Sequence, residues 1–181
     1  MYGMVNQGIQ TFIVEKFGQD DWRDICSKAD LAHDTFETML TYPDDVTYRL
    51  VDVISKKYGM TSGEVLKVFG DYWVDYSAST RLGTVLRFGG RDVVQRLESL
   101  NEMHERIQST MPHLRPPSFE FEEGDGGEHK LHYASEREGL EDMVIGLVEG
   151  LGRDSGQRVQ ITKDPAPMYP CYRATFTVRI D

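Results

Sequence analysis

Cysteine is scarce in this chain. Its 181 residues hold two, Cys26 and Cys171, too few and too far apart for a disulfide framework or a zinc site built from cysteines. Both read as ordinary thiols. Long hydrophobic runs are also missing: no stretch approaches the roughly 18 apolar residues of a membrane span. The opening segment, MYGMVNQGIQTFIVEKFG, lacks the basic stretch and small-residue cleavage site of a signal peptide. The expectation is a cytoplasmic protein without a membrane role. Basic residues are outnumbered, 20 against 30 acids, for a net charge of −10. Nucleic-acid binders need a concentrated basic surface, so that class is excluded, and an anionic bilayer would repel the chain. Catalytic signatures are absent as well: no nucleophile elbow, no Walker loop, no H-E-x-x-H. The chain is not expected to be an enzyme.

What is present is a globular composition, 39% hydrophobic and 28% charged, long enough to bury a core as one domain over residues 1–181. The first two thirds read as helices. Val5, Ile9, Phe12 and Ile13 fit one that ends near Gly18. DDWRDICSKADL opens with acids that suit a helix N-terminus. Asp44-Asp45 starts a third helix, stopped at Gly59, and Thr61 with Glu64 predicts a capping box ahead of a fourth. A further helix is expected from about Arg91 to Met111, closed by Pro112. After Pro116-Pro117 the pattern changes: SFEFEE and HKLHYASE alternate around GDGG, a hairpin signal. EGLEDMVIGLVEGLG then reads as a helix, and RVQITKD and YRATFTVRI as two strands joined by a proline-rich loop. Helices followed by β-β-α-β-β make an α+β fold with a four-stranded antiparallel sheet.

Two features carry chemistry. Val93, Leu97, Leu100, His104, Ile107 and Met111 form one stripe at helical spacing, and His104 stands where an apolar residue is expected. A buried imidazole must satisfy two nitrogens. A core histidine bonded to a backbone carbonyl is one reading, and a metal or haem ligand is the other. Further on, Tyr133, Ser135 and Arg137 alternate, so on an extended strand they share a face, each about 6.5–7 Å from the next. A phenol, a hydroxyl and a guanidinium in a row all donate hydrogen bonds and suit a ligand with two carboxylates. An ordinary solvated strand face is the alternative.

A buried histidine with a donor row 29 residues on matches a group bearing both a metal and two carboxylates, as haem does. These residues resemble the haem nitric oxide/oxygen-binding (H-NOX) family, which includes the haem sensor domain of soluble guanylate cyclase. MYGMVNQGIQ resembles the family's M-x-G start, LNEMHERI its proximal-ligand helix, RPPSFE the loop after it, and HYASEREGLEDMVIGLVEG its Tyr-x-Ser-x-Arg motif with the following helix. The resemblance implies haem b, held without covalent attachment since no C-x-x-C-H is present. It makes His104 the proximal iron ligand. Tyr133, Ser135 and Arg137 hold the propionates, and Pro117 presses on the porphyrin. The N-terminal helices then form a distal lobe, the sheet and its helices a proximal lobe, with haem between.

The resemblance also bears on ligand choice. Members that hold O₂ carry a distal tyrosine where this chain has Met143, and a thioether cannot donate. Val5, Gly8, Ile9 and Val144 offer no donor either, although Tyr72 or Trp73 could point inward. This implies an NO sensor whose proximal histidine is released on NO binding, with CO as a second ligand. Its signal would go to a partner such as a histidine kinase or a cyclic-di-GMP enzyme. An O₂-binding, or NO- or peroxide-consuming, haem protein is the alternative. The zinc site of some bacterial relatives cannot form with Cys171 as the one cysteine in that region. His33, His113, His129 and His132 are expected to be solvated.

Overall fold

Among the described residues of a computed structural model, 1–80 and 90–181, four helices build the segment 1–80. They are α1 (Gly3–Phe17), α2 (Gln19–Lys28), α3 (Asp44–Tyr58) and α4 (Ser62–Ser79). Their ends follow local chemistry. Gly59 adopts the left-handed conformation, φ 67°, that closes α3. The Thr61 hydroxyl accepts the Glu64 N–H, and the Glu64 carboxylate accepts the Thr61 N–H at 2.7 Å, the reciprocal box that the sequence predicts. Ile13, Trp22, Ile25, Leu50, Ile54 and Phe69 meet in the core of this helical lobe.

The second half holds α5 (Val93–Glu98), α6 (Leu100–Thr110), β1 (Ser118–Glu122), β2 (Glu128–Ala134), α7 (Glu141–Ser155), β3 (Val159–Lys163) and β4 (Ala174–Ile180). The strands form one antiparallel sheet in the order β1-β2-β4-β3. In the β1–β2 hairpin, Gly126 and Gly127 take φ 66° and 81° in the turn, where a side chain would be strained. Leu131, Phe176 and Val178 turn inward from the sheet, against Val93 and Leu97 of α5 and Val144 and Val148 of α7.

Helix α7 also faces the other lobe. A Cβ at Gly146 would lie 1.9 Å from the Lys67 carbonyl oxygen of α4, and one at Gly70 would lie 2.3 Å from the Met143 carbonyl oxygen. Only glycine lets the two backbones approach this closely. The pairs Arg153–Asp75 at 2.7 Å and Lys67–Glu149 at 2.9 Å flank the crossing. Among the described residues, no helix is long and apolar enough to cross a membrane.

Two expectations need correction. The helix read as continuous from Arg91 to Met111 is broken at Ser99, whose hydroxyl donates to the Arg96 carbonyl at 3.1 Å, a local bond that competes with helical geometry. The stripe survives the break but serves two clusters. Val93 and Leu97 pack under the sheet, whereas Ile107 and Met111 pack against Tyr2. Also, His129 and His132 are not solvated. His132 is 1% exposed: loop 164–173 folds over the outer face of the sheet and stacks Tyr172 on its ring, centroids 4.9 Å apart. Strand alternation assigns a residue to a face and cannot say what covers that face. His129 is capped by the hairpin turn, where its Nδ1 accepts the Gly124 N–H at 3.4 Å.

The α4–α7 crossing gives a prediction. Gly146→Ala drives a methyl into backbone and is expected to cost about 1–3 kcal/mol. Gly63→Ala meets only the movable Asp142 carboxylate and is expected to cost less than about 1 kcal/mol. Urea unfolding of both variants checks this, and equal losses would refute the backbone contact.

Candidate cofactor site

His104 owes its place to an anchor one turn earlier. The Asn101 carboxamide pairs with the β1 backbone: its Nδ2 donates to the Phe119 carbonyl at 2.6 Å, and its Oδ1 accepts the Phe119 N–H at 2.9 Å. The His104 ring consequently lies beside Phe119, centroids 6.1 Å apart. Burial pushes its pKa down to about 4, opposed in part by a hydrogen bond to the Pro117 carbonyl. The imidazole is therefore neutral at neutral pH. Nδ1 is buried and has no partner among the described residues. A neutral imidazole keeps a lone pair on one of its two nitrogens, the form that binds metals. The far end of α6 is fixed by Tyr2, whose hydroxyl accepts the His113 N–H at 3.2 Å.

Tyr133, Ser135 and Arg137 do not form one strand face. Only Tyr133 is in the ladder, 2% exposed, with burial raising its phenol pKa. Pairing stops at Ala134, and the next residues turn: the Ser135 hydroxyl accepts the Arg137 N–H at 3.0 Å. This turn aims the Arg137 guanidinium at the start of α3. Its Nε donates to Asp44 at 2.9 Å and its Nη1 to the Arg115 carbonyl at 2.8 Å. Asp44 also takes the amino group of Met1. Burial alone would raise the Asp44 pKa, but the Met1 ammonium and Arg137 outweigh it and hold the carboxyl below its usual range. Loop 112–117 thus touches both halves of the site, Arg137 through Arg115 and His104 through Pro117.

Met143 lies in the first turn of α7, half-buried against the helical core. Tyr72 does not point inward: its hydroxyl donates to Glu15 at 3.0 Å near the surface. Trp73 lays its six-membered ring on Gly8, where a Cβ would come within 2.9 Å. Sequence reasoning missed Asp44, Tyr2 and Asn101 as parts of the site. Asp44 had a signal, a helix-starting acid pair, but that explained it completely without Arg137.

A family model described as haem-NO-binding matches residues 2–163. The chain belongs to this H-NOX family. Soluble guanylate cyclase 89Da of Drosophila melanogaster is 27% identical over 154 residues, 85% of this chain and 23% of that protein. The chain spans about a quarter of the length of the curated relatives it matches. Among solved structures, a variant of an H-NOX protein from S. oneidensis in the Fe(II) state superposes with a TM-score of 0.90 at 17% identity, covering 100% of this chain and 96% of that one. An H-NOX protein from the same source in the Fe(II)NO state gives 0.88 at 17% identity, over 100% and 99%. The four-stranded α+β fold is thus the H-NOX fold, and H-NOX domains are haem-binding gas-sensor domains. The residues present fit haem: a neutral, half-buried imidazole with an unpartnered nitrogen suits iron, and Arg137 with Ser135 and Tyr133 suits carboxylates.

The His104 environment predicts a pH dependence in the haem-free protein. The unfolded imidazole titrates near 6.5, the folded one at about 4. Between those values the unfolded chain binds more protons, so stability falls as pH drops from about 6.5 to about 4. His104→Leu is expected to flatten that slope. Urea midpoints for both proteins across this range check it, and parallel slopes would show that folding does not hold His104 neutral.

Proposed function

We propose that this chain is a haem b sensor of nitric oxide with His104 as the proximal iron ligand. The observation that carries this is the neutral, half-buried His104 ring, whose buried Nδ1 has no partner among the described residues. Haem supplies a ferrous iron able to bind diatomic gases. His104 holds it from one side, and Asn101 and the Pro117 carbonyl fix the ring's orientation. Arg137 binds a propionate as a charged fork, with Ser135 and Tyr133 adding neutral donors. Pro117, between the His104 and Arg137 contacts, would press on the porphyrin.

Gas choice follows from the other side. Met143 has no proton to donate, and Tyr72 spends its hydroxyl on Glu15. Bound O₂ needs a donor for its partial negative charge, whereas NO does not. Iron held by His104 would couple NO binding to α6, because release of His104 would free the helix at its centre. Its ends remain tied, through Asn101 to the sheet and through Met111 and His113 to Tyr2. Release is therefore felt in both lobes, a rigid-body switch. The chain acts on a partner rather than catalysing: CO is a second ligand, and the receiver is a protein such as a histidine kinase or a cyclic-di-GMP enzyme.

Purified protein is expected to carry one extractable haem, and His104→Gly to lose it unless imidazole is added. Arg137→Ala should shed haem faster than Ser135→Ala, because a charged bond contributes about 1.5–3 kcal/mol against about 0.5–1.5 for a neutral one. Colourless protein that takes up no added haem would overturn the reading.

Ferrous protein admitted to air should show no stable oxy spectrum, while NO gives a five-coordinate spectrum and CO a six-coordinate one. Met143→Tyr adds a donor of about 1 kcal/mol or more and should raise O₂ affinity. A persistent oxy spectrum in the unmodified protein would refute the NO-selective assignment.

A further inference from the structure

Arg173 ends the proline-rich loop 164–173 and precedes β4, outside every motif that marks the cofactor site. Because Ala174 pairs with Tyr133, Arg173 falls beside the point where β2 ends. Its N–H donates to the Tyr133 carbonyl at 2.8 Å. Its guanidinium then follows the departing chain. Nε donates to the Ser135 carbonyl, Nη2 to the Glu136 carbonyl at 3.5 Å and Nη1 to the Glu138 carboxylate at 3.2 Å. From the other side, the Tyr48 hydroxyl of α3 donates to the Glu138 carbonyl at 2.8 Å. Residues 135–138 lie in neither strand nor helix, yet three of their four carbonyls are held by side chains from elsewhere.

This arrangement suits arginine alone. A guanidinium presents five donors in a rigid fork and can hold acceptors spaced along a turn, whereas a lysine ammonium is a point charge on a flexible stem. The contact with Glu138 contributes little, since that carboxylate is 82% exposed. What matters is the grip on the backbone on either side of Arg137.

We propose that Arg173 is a positioning residue for carboxylate binding. It holds the 135–138 backbone so that the Ser135 hydroxyl and the Arg137 guanidinium are set before the haem propionates arrive. Arg173 itself touches no cofactor. Preorganised donors lose less freedom on binding, so the effect should appear in haem retention. The inference rests on the reading that Tyr133, Ser135 and Arg137 hold the propionates.

The test uses the haem-loaded full chain and follows haem transfer to excess apomyoglobin. Arg173→Ala should lose haem about tenfold faster, and Arg173→Lys, which keeps the charge without the fork, should remain within about threefold of it. On an Arg137→Ala background, Arg173→Ala should add less than about threefold, because the charged one of the two donors it positions is gone and only the weaker Ser135 hydroxyl remains. In the haem-free protein, amide exchange at residues 136–138 should quicken in both Arg173 variants while β4 and α7 keep their protection. That pattern separates a loosened loop from a loosened fold. Should the alanine variant fail to fold, the lysine variant carries the same comparisons.

A lysine variant with wild-type haem loss, a full tenfold effect on the Arg137→Ala background, or unchanged exchange at 136–138 would overturn the positioning role. If Arg137→Ala itself retains haem like the wild type, the propionate reading fails and takes this inference with it. If Arg137→Ala leaks haem and Arg173→Ala does not, only the inference fails.

Discussion

Helix α7 is the constraint on which the arrangement of the two lobes depends. One face supplies Val144 and Val148 to the core beneath the sheet. The other meets α4 backbone to backbone, with Gly70 and Gly146 at the point of approach. A helix usually spaces itself from its neighbour by side chains at 8–10 Å. Here their absence removes that spacer, so the sheet is carried close against the helical lobe. The ion pairs beside the crossing are exposed and add little; the fit is steric.

The lobes are joined a second time at the N-terminus. Met1 and Arg137 share Asp44, and Tyr2 packs on Ile107 and Met111 while accepting from His113. These contacts reach both halves of the cofactor site, the carboxylate-binding turn and the end of the histidine helix. Asp44 is held charged because its two cations outweigh partial burial. Removing either cation would leave a partly desolvated carboxylate short of a partner, the costly case for a charged group. Steric contact at α7 and charge at Asp44 therefore fasten the same pair of lobes at separate places.

Much of this was legible in the residues. The ends of α3 and the capping box of α4 appear as expected, since caps and breakers act within a turn of chain. The hairpin, the four strands and the α+β class follow from alternation and turn residues. The stripe that picks out His104 is real, although Ser99 breaks the helix beneath it. Less legible was the Tyr133–Ser135–Arg137 row. Alternation assumes that a strand continues, and whether it does depends on a partner strand. Here β4 begins at Ala174, and the ladder ends before Ser135. The solvated reading of His132 failed for a related reason: a strap from residues 164–173 covers it.

By itself the sequence determined the elements, their order, and which side chains bring chemistry: an imidazole in an apolar stripe and three donors at alternate positions. These depend on interactions within a few residues, and the chain carries them wherever it folds. Only the tertiary structure decided what each group faces. It set Asn101 against Phe119, left one nitrogen of His104 without a partner, turned Arg137 toward Asp44, and brought Arg173 alongside Ser135 from 38 positions away. Such contacts are set by register and helix crossing, which involve segments far apart in the chain, and no local pattern records them.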